Sequence, residues 1–226
     1  MLKLAILFSG GKDSTRVVQW CIENGYEVAY LVTVIPLRQD SWMYHVPNIH
    51  LTKLSAEAMG IPLITGESSG MKEEEVNDMK SLLENLDIDG VACGGIASNY
   101  QRKRIERVCK ELGVKFLAPF WGADPEEFLR DTINIGFDVR IVGVYADGFD
   151  ESWLGKRLDY HSFNQLIRIC KQHGLSLVGE GGEYETLVVD CPIFMKRIEI
   201  IDSEKVWDKK TQSGYLRIKK AKLIKK

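Results

Sequence analysis

The stretch Leu4-Ala5-Ile6-Leu7-Phe8-Ser9-Gly10-Gly11-Lys12-Asp13-Ser14, followed by Thr15 to Cys21, constrains the fold more than any other part of the chain. An unbroken apolar run suits a strand covered on both faces, and the residues after Ser14 carry helical spacing. Between them, two glycines permit positive φ and expose backbone N–H groups, while the helix start adds unpaired donors and the positive end of its dipole. Strand, tight turn and helix N-terminus in that order make an anion site. Ser9 and Ser14 add hydroxyl donors, Lys12 adds a movable charge, and Asp13 either caps the helix or holds a divalent metal beside phosphates. The spacing is neither G-x-x-x-x-G-K-[ST] nor G-x-G-x-x-G.

The next 140 or so residues continue the alternation of short apolar runs with longer amphipathic ones. Strands are expected at Lys3 to Phe8, Glu27 to Thr33, Pro62 to Thr65, Gly90 to Cys93, Lys115 to Leu117 and Val139 to Tyr145. Helices are expected at Ser14 to Asn24, Asn48 to Met59, Lys72 to Leu86, Asn99 to Leu112 and Pro125 to Asn134, several closing on a glycine. This pattern predicts an α/β fold with a doubly wound, mostly parallel, Rossmann-like sheet. After Asp147-Gly148 the texture changes to a helix at Tyr160 to His173, a Gly- and Glu-rich turn, and hairpin strands at Phe194 to Ile201 and Tyr215 to Ile224. A boundary near residue 148 divides an N-terminal domain, 1–148, from a smaller α+β region, 149–226.

Composition excludes several classes. At 226 residues and 45% hydrophobic content the chain can bury a substantial core, and a formal charge of −2 gives no bulk attraction for nucleic acid. Arg217 to Lys226 hold six basic side chains and no acid. A solvated edge strand kept soluble by its lysines accounts for that tail. No apolar run approaches the roughly 20 residues of a membrane span, and the N-terminal apolar run is broken at Ser9 before a secretory segment forms. Five cysteines, widely spaced and never C-x-x-C, read as buried thiols in a reducing cytoplasm.

A second glycine cluster, Val178-Gly179-Glu180-Gly181-Gly182-Glu183-Tyr184-Glu185-Thr186, places three carboxylates beside a flexible turn leading into an apolar strand. In a strand Glu183 and Glu185 would share a face with Tyr184 opposite, a pair able to hold a metal, receive a cation or act as a base. In the helix from Asn99, the stripe Ile105, Val108, Cys109 and Leu112 turns Gln101 and Arg102 inward, and Arg102 and Arg104 become candidates for phosphate or carboxylate. The long segment Pro36 to Pro47, with Trp42, Tyr44 and His45, is expected to cover a ligand.

Ser9 to Ser14 resemble the S-G-G-x-D-S pyrophosphate loop of the N-type ATP pyrophosphatases. Glu180 to Asp190 are similar to the E-G-G-E-Y-E-T-L-V-x-D signature of diphthine ammonia ligases, which complete the modified histidine of elongation factor 2. Tyr100-Gln101-Arg102 with Arg104 and Glu106, Pro119-Phe120-Trp121 with Asp124-Pro125, and Asp147-Gly148 with Trp153-Leu154-Gly155 resemble further blocks of that family. The resemblance spans roughly residues 1 to 195 and implies an adenine nucleotide alpha hydrolase-like fold. It implies an ATP- and Mg²⁺-dependent ligase that activates diphthine as an acyl adenylate, releases pyrophosphate, and lets ammonium displace AMP.

On the same resemblance Lys12, Asp13, Glu183 and Glu185 are catalytic, with Asp13 the metal ligand. Ser9, Gly10, Gly11, Lys12, Asp13, Ser14 and Arg102 bind the nucleotide. Tyr100, Gln101, Arg104, Glu180, Gly181, Gly182, Glu183, Tyr184, Glu185 and Thr186 bind the acceptor. Expected partners are diphthine-modified elongation factor 2 and ammonium, with no membrane or nucleic acid and with a homo-oligomer allowed. An RNA-thiolating pyrophosphatase and a non-catalytic adenine-nucleotide sensor stand as alternatives.

Overall fold

The computed structural model describes residues 1–36, 48–68 and 74–226. Of the expected covering segment, Pro36 to Pro47, all but Pro36 lies outside them. The chain forms two compact units, Met1–Ser9 with Asp13–Gly122, and Gly10–Lys12 with Ala123–Lys226.

In the first unit, strands β1 (Lys3–Leu7), β2 (Glu27–Pro36), β3 (Leu63–Ser68), β4 (Gly90–Ala92) and β5 (Lys115–Leu117) form a parallel sheet of order β3-β2-β1-β4-β5. Every described pairing is parallel, Leu4 standing against Val28 on one side and Gly90 on the other. Helices α1 (Lys12–Glu23), α2 (Thr52–Met59), α3 (Glu74–Leu83) and α4 (Asn99–Leu112) make the crossovers. Ala5, Val32, Val34 and Val91 pack in one core with Val76, Met79 and Leu83 of α3 and Ile105, Val108 and Cys109 of α4. By the period of two, Leu4 and Ile6 face the opposite side and are buried too, as are Val17, Val18 and Cys21 of α1. That two-sided burial explains why the strands read as continuous apolar runs. The strand order reverses between β1 and β4, so the loops leaving these two strands meet at the topological switch point, where doubly wound sheets bind ligands.

In the second unit, α5 (Pro125–Asn134), β6 (Asp138–Val144), α6 (Tyr160–His173), β7 (Tyr184–Asp190), β8 (Lys196–Asp208) and β9 (Ser213–Lys225) build an antiparallel sheet of order β7-β6-β9-β8. Here the structure departs from the sequence reading. The run at 139–145 is not a sixth parallel strand: it pairs antiparallel with both β7 and β9, and the compact units divide between Gly122 and Ala123 rather than near 148. A central antiparallel strand is buried on both faces like a parallel one, so its apolar run carries no mark of direction.

The basic tail from Arg217 is paired with β8 alone, because β6 pairs with β9 only at Gly214 and Tyr215, and its arginine and lysines are exposed as expected of a solvated edge. Its cations meet acids across the hairpin: Arg217 and Lys219 on Glu204, and Lys222 on Glu199 at 3.1 Å. Lys226 reaches Asp190 at 2.7 Å. All five cysteines are buried thiols, and burial pushes Cys21, Cys109 and Cys191 up to about 12 and Cys170 up to about 11. Among the described residues no helix is long and apolar enough to cross a membrane.

α6 starts in a capping box: the Asp159 carboxylate accepts from Ser162 N at 2.9 Å, and Asp159 N donates back to Ser162 Oγ at 2.8 Å. The backbone N–H of Ser162, with smaller help from the Ser162 hydroxyl, holds the Asp159 carboxyl below its ordinary value. Asp159→Ala is expected to lower stability by about 1 kcal/mol at neutral pH in urea denaturation. Because the folded value is the lower one, this contribution is present above the unfolded value of about 4 and is lost as pH falls through the folded value. The two proteins should therefore converge in acid; a difference that persists undiminished there would show that the cap is not the cause.

Candidate functional site

In the first unit, β1 ends at Leu7 and α1 starts at Lys12, so the expected anion loop is a four-residue turn. Thr33 Oγ1 donates to Phe8 O at 2.7 Å and Phe8 N donates to Val32 O at 2.8 Å, which carries the β1–β2 pairing up to the loop. Ser9 N donates to Ser14 Oγ at 3.2 Å, and the two hydroxyls lie 3.3 Å apart, so Ser14 closes the turn over its own entrance. Asp13 sits within the first turn of α1 rather than ahead of it, beside the positive end of the helix. Of the two glycines only Gly10 takes a positive φ, 78°.

A third glycine pair, overlooked in the sequence, supports this turn. Gly94 follows β4, and a Cβ there would stand 2.6 Å from the Asp13 carbonyl carbon and 2.8 Å from Ser14 N. The backbone leaving β4 therefore touches the start of α1 directly. The signal was present as Cys93-Gly94-Gly95 after a strand at the same sheet edge, the position where close backbone approach requires glycine.

The arginines of α4 are brought to aromatic rings. Arg102 lies 4.5 Å from the Trp121 ring centre, and Arg104 lies 3.5 Å from that of Tyr100 while donating to the Tyr100 carbonyl at 3.3 Å. Arg16 of α1, not singled out in the sequence, stacks on Phe120 at 5.3 Å. Gly122 N donates to Ile96 O at 2.9 Å, so the turn carrying Phe120 and Trp121 is tied to the residues that lead into α4. The two sequence blocks around Tyr100 and Phe120 are thus one cluster. Stacking on ring faces orients the guanidinium planes.

In the second unit the two glycine clusters come together. Lys12 N donates to Thr186 Oγ1 at 3.1 Å, Val188 N donates to Gly10 O at 2.9 Å, and Lys12 Nζ donates to Val178 O at 2.5 Å. The ammonium also lies 5.1 Å from the Tyr184 ring centre. Lys12 is 2% exposed, so it is a buried, bonded cation and not the movable charge its place in a loop suggested.

Glu183 and Glu185 do not form a pair on one strand face. β7 begins only at Tyr184, and the turn at Gly182, φ 81°, swings Glu183 back on the preceding residues. Its two oxygens accept from Ser176 N and Gly181 N, each at 2.8 Å. Glu185 lies within β7 opposite Gly143 and, after burial, is the next cause that raises the Tyr145 hydroxyl above its ordinary value. Glu180 and Gly179 are half-buried, and Gly181 and Gly182 are exposed on the same turn. Gln101 is half-buried on α4.

The chain matches the diphthamide synthase N-terminal domain over residues 2–116 and the diphthamide synthase C-terminal domain over residues 124–224. It is similar to the diphthine–ammonia ligase of Homo sapiens, 38% identical over 91% of this chain and 85% of that protein. The Mus musculus protein of the same name is 36% identical over 100% of this chain and 94% of its own. The Schizosaccharomyces pombe protein is 36% identical over 96% of this chain and 39% of its own longer one. A solved chain described as a predicted subunit of tRNA methyltransferase from Methanocaldococcus jannaschii aligns with a TM-score of 0.48 at 15% identity, covering 84% of this chain and 98% of its own.

Since no Cβ fits between Gly94 and the Asp13–Ser14 backbone, Gly94→Ala must displace the start of α1. Nucleotide binding measured by isothermal titration should weaken about tenfold or more, while far-ultraviolet circular dichroism stays near that of the parent. Affinity within twofold of the parent would show that this close approach does not shape the loop.

Proposed function

Because the chain belongs to the diphthamide synthase family it is a ligase, and we propose that it amidates diphthine in elongation factor 2 to diphthamide, taking ammonium as nitrogen donor and cleaving ATP to AMP and pyrophosphate. One observation carries the reading. Gly10–Lys12, the middle of the Ser9–Ser14 loop, are hydrogen-bonded within the second unit to Val178, Thr186 and Val188, in and beside the second signature.

In this reading ATP supplies an adenylyl group to the diphthine carboxylate, and ammonia then displaces AMP from the acyl adenylate. The protein contributes placed charge and dipoles. Ser9, Gly10, Gly11 and Ser14 line the phosphates with hydroxyl and backbone donors at the start of α1, where fixed dipoles stabilise the departing pyrophosphate. Arg102 and Arg104, oriented by Trp121 and Tyr100, carry the cationic contacts to phosphate or carboxylate oxygens. Asp13, a single carboxylate in the first turn of α1, would be the protein ligand of Mg²⁺, which commonly takes one carboxylate with phosphate oxygens and water. On the acceptor side, Tyr100, Gln101, Glu180, Gly181, Gly182, Tyr184, Glu185 and Thr186 form the binding set. Glu185 is the carboxylate within it that receives the ammonium or the proton released as ammonia attacks. A cytoplasmic setting and action on elongation factor 2 as a protein substrate complete the reading.

The thiolating alternative needs reactive cysteines, and burial keeps Cys21, Cys109, Cys170 and Cys191 as protonated thiols at neutral pH. Incubation with ATP, Mg²⁺, ammonium and diphthine-bearing elongation factor should yield AMP and the mass change of amidation at the modified histidine. ADP as product, or ATP binding with no turnover in the presence of the factor, would sink the proposal. Asp13→Ala should lower AMP formation on the order of a hundredfold, and full activity in that variant would remove Asp13 from the site.

A further inference from the structure

The Glu183 carboxylate spends both oxygens inside its own turn, on Ser176 N and Gly181 N, and a Cβ at Gly181 would stand 2.6 Å from Glu183 Oε1. Two charge-assisted bonds to one carboxylate draw residues 176–183 closed. Tyr184 reinforces the closure from the other side: its hydroxyl donates to Leu177 O at 2.8 Å, and its ring packs on Phe149, which meets Trp153 edge-on at 5.3 Å. The closed turn presents one carbonyl, that of Val178, to the buried Lys12 ammonium. Lys12 in turn belongs to the three-residue segment of the anion loop that Thr186 and Val188 hold by its backbone.

We propose that Glu183 and Lys12 are positioning residues. Glu183 closes the 176–183 turn, the turn places the Val178 carbonyl, and that carbonyl with the Tyr184 ring pins Lys12 and so sets the conformation of Gly10–Lys12. A carboxylate already accepting two backbone N–H groups is poorly available as a base or as an ammonium ligand. An ammonium sunk between a carbonyl and a ring face holds backbone in place, because removing either partner leaves a buried charge unsatisfied. The effect of this clasp on ATP rests on the reading of the loop given above; its effect on the loop itself does not.

The test compares the parent with Glu183→Gln, Lys12→Met and the double variant. A glutamine can accept only one of the two N–H groups and turns a donor towards the other. Amide hydrogen exchange of a peptide spanning Ser9–Ser14 should accelerate in both single variants, at least tenfold. ATP affinity by isothermal titration should fall about tenfold in each, and the double variant should be no more than about twofold weaker than the worse single, because both changes break one clasp. Gly181→Ala pushes the carboxylate off Ser176 and Gly181 while keeping its charge, and it should reproduce the Glu183→Gln exchange pattern even if that variant folds poorly. Unchanged exchange with unchanged ATP affinity and only a lower turnover would make Glu183 a participant in the chemistry and overturn the proposal. So would losses that multiply in the double variant. If the parent itself binds no ATP, the nucleotide reading fails, and the exchange comparison still decides the clasp.

Discussion

An ammonium group with 2% of its residue in contact with water must find its compensation inside the protein, and Lys12 finds it in the Val178 carbonyl and the face of Tyr184. Much of the local architecture around the second glycine cluster serves that one buried charge. The carbonyl is available because the turn before β7 is closed by Glu183, and the ring is in place because its hydroxyl is bonded to Leu177 and its edge is packed on Phe149. Gly179 adopts φ 78° in the same turn, where a Cβ would meet the Tyr184 carbonyl oxygen at 2.8 Å. Gly179 and Gly181 stand where backbone and carboxylate already occupy the space a side chain would need, while Gly182 has open space and is called for by its φ of 81°.

The first unit solves a different problem, bringing backbone donors close together at the end of a parallel sheet. Its means are also steric. Ser14 closes the turn onto Ser9, and Gly94 lets the chain leaving β4 lie against the first turn of α1. Arginines that would otherwise sweep through solvent are laid on Phe120, Trp121 and Tyr100. A ligand that meets these groups meets a preorganised surface, which is where electrostatic stabilisation gains most over water.

Much of this was legible along the chain. The strand–turn–helix start, the parallel alternation through β5, the exact spans of α4, α5 and α6, and the hairpin of β8 and β9 follow from local periodicity and capping. The two signature segments stood out along the chain because their residue types are locally unusual. Direction of pairing was not legible: β6 carries the same apolar run a parallel strand would, and only its neighbours β7 and β9 make it antiparallel. The partners of the basic tail were not legible either, because the acids that meet it, Glu199 and Glu204 on β8 and Asp190 on β7, lie on other strands.

What the sequence determined by itself is therefore the set of local geometries: where a strand must end in glycines, where a helix must begin, and which residues carry charge beside them. These depend on backbone sterics and on interactions within a few residues. What only the tertiary structure decided is where those charges go. Glu183 turns out to fasten a turn and Lys12 to sink under Tyr184, because Lys12 and Val178, 166 positions apart along the chain, close into one contact. A side chain's role in such a contact is set by partners that no local pattern can name.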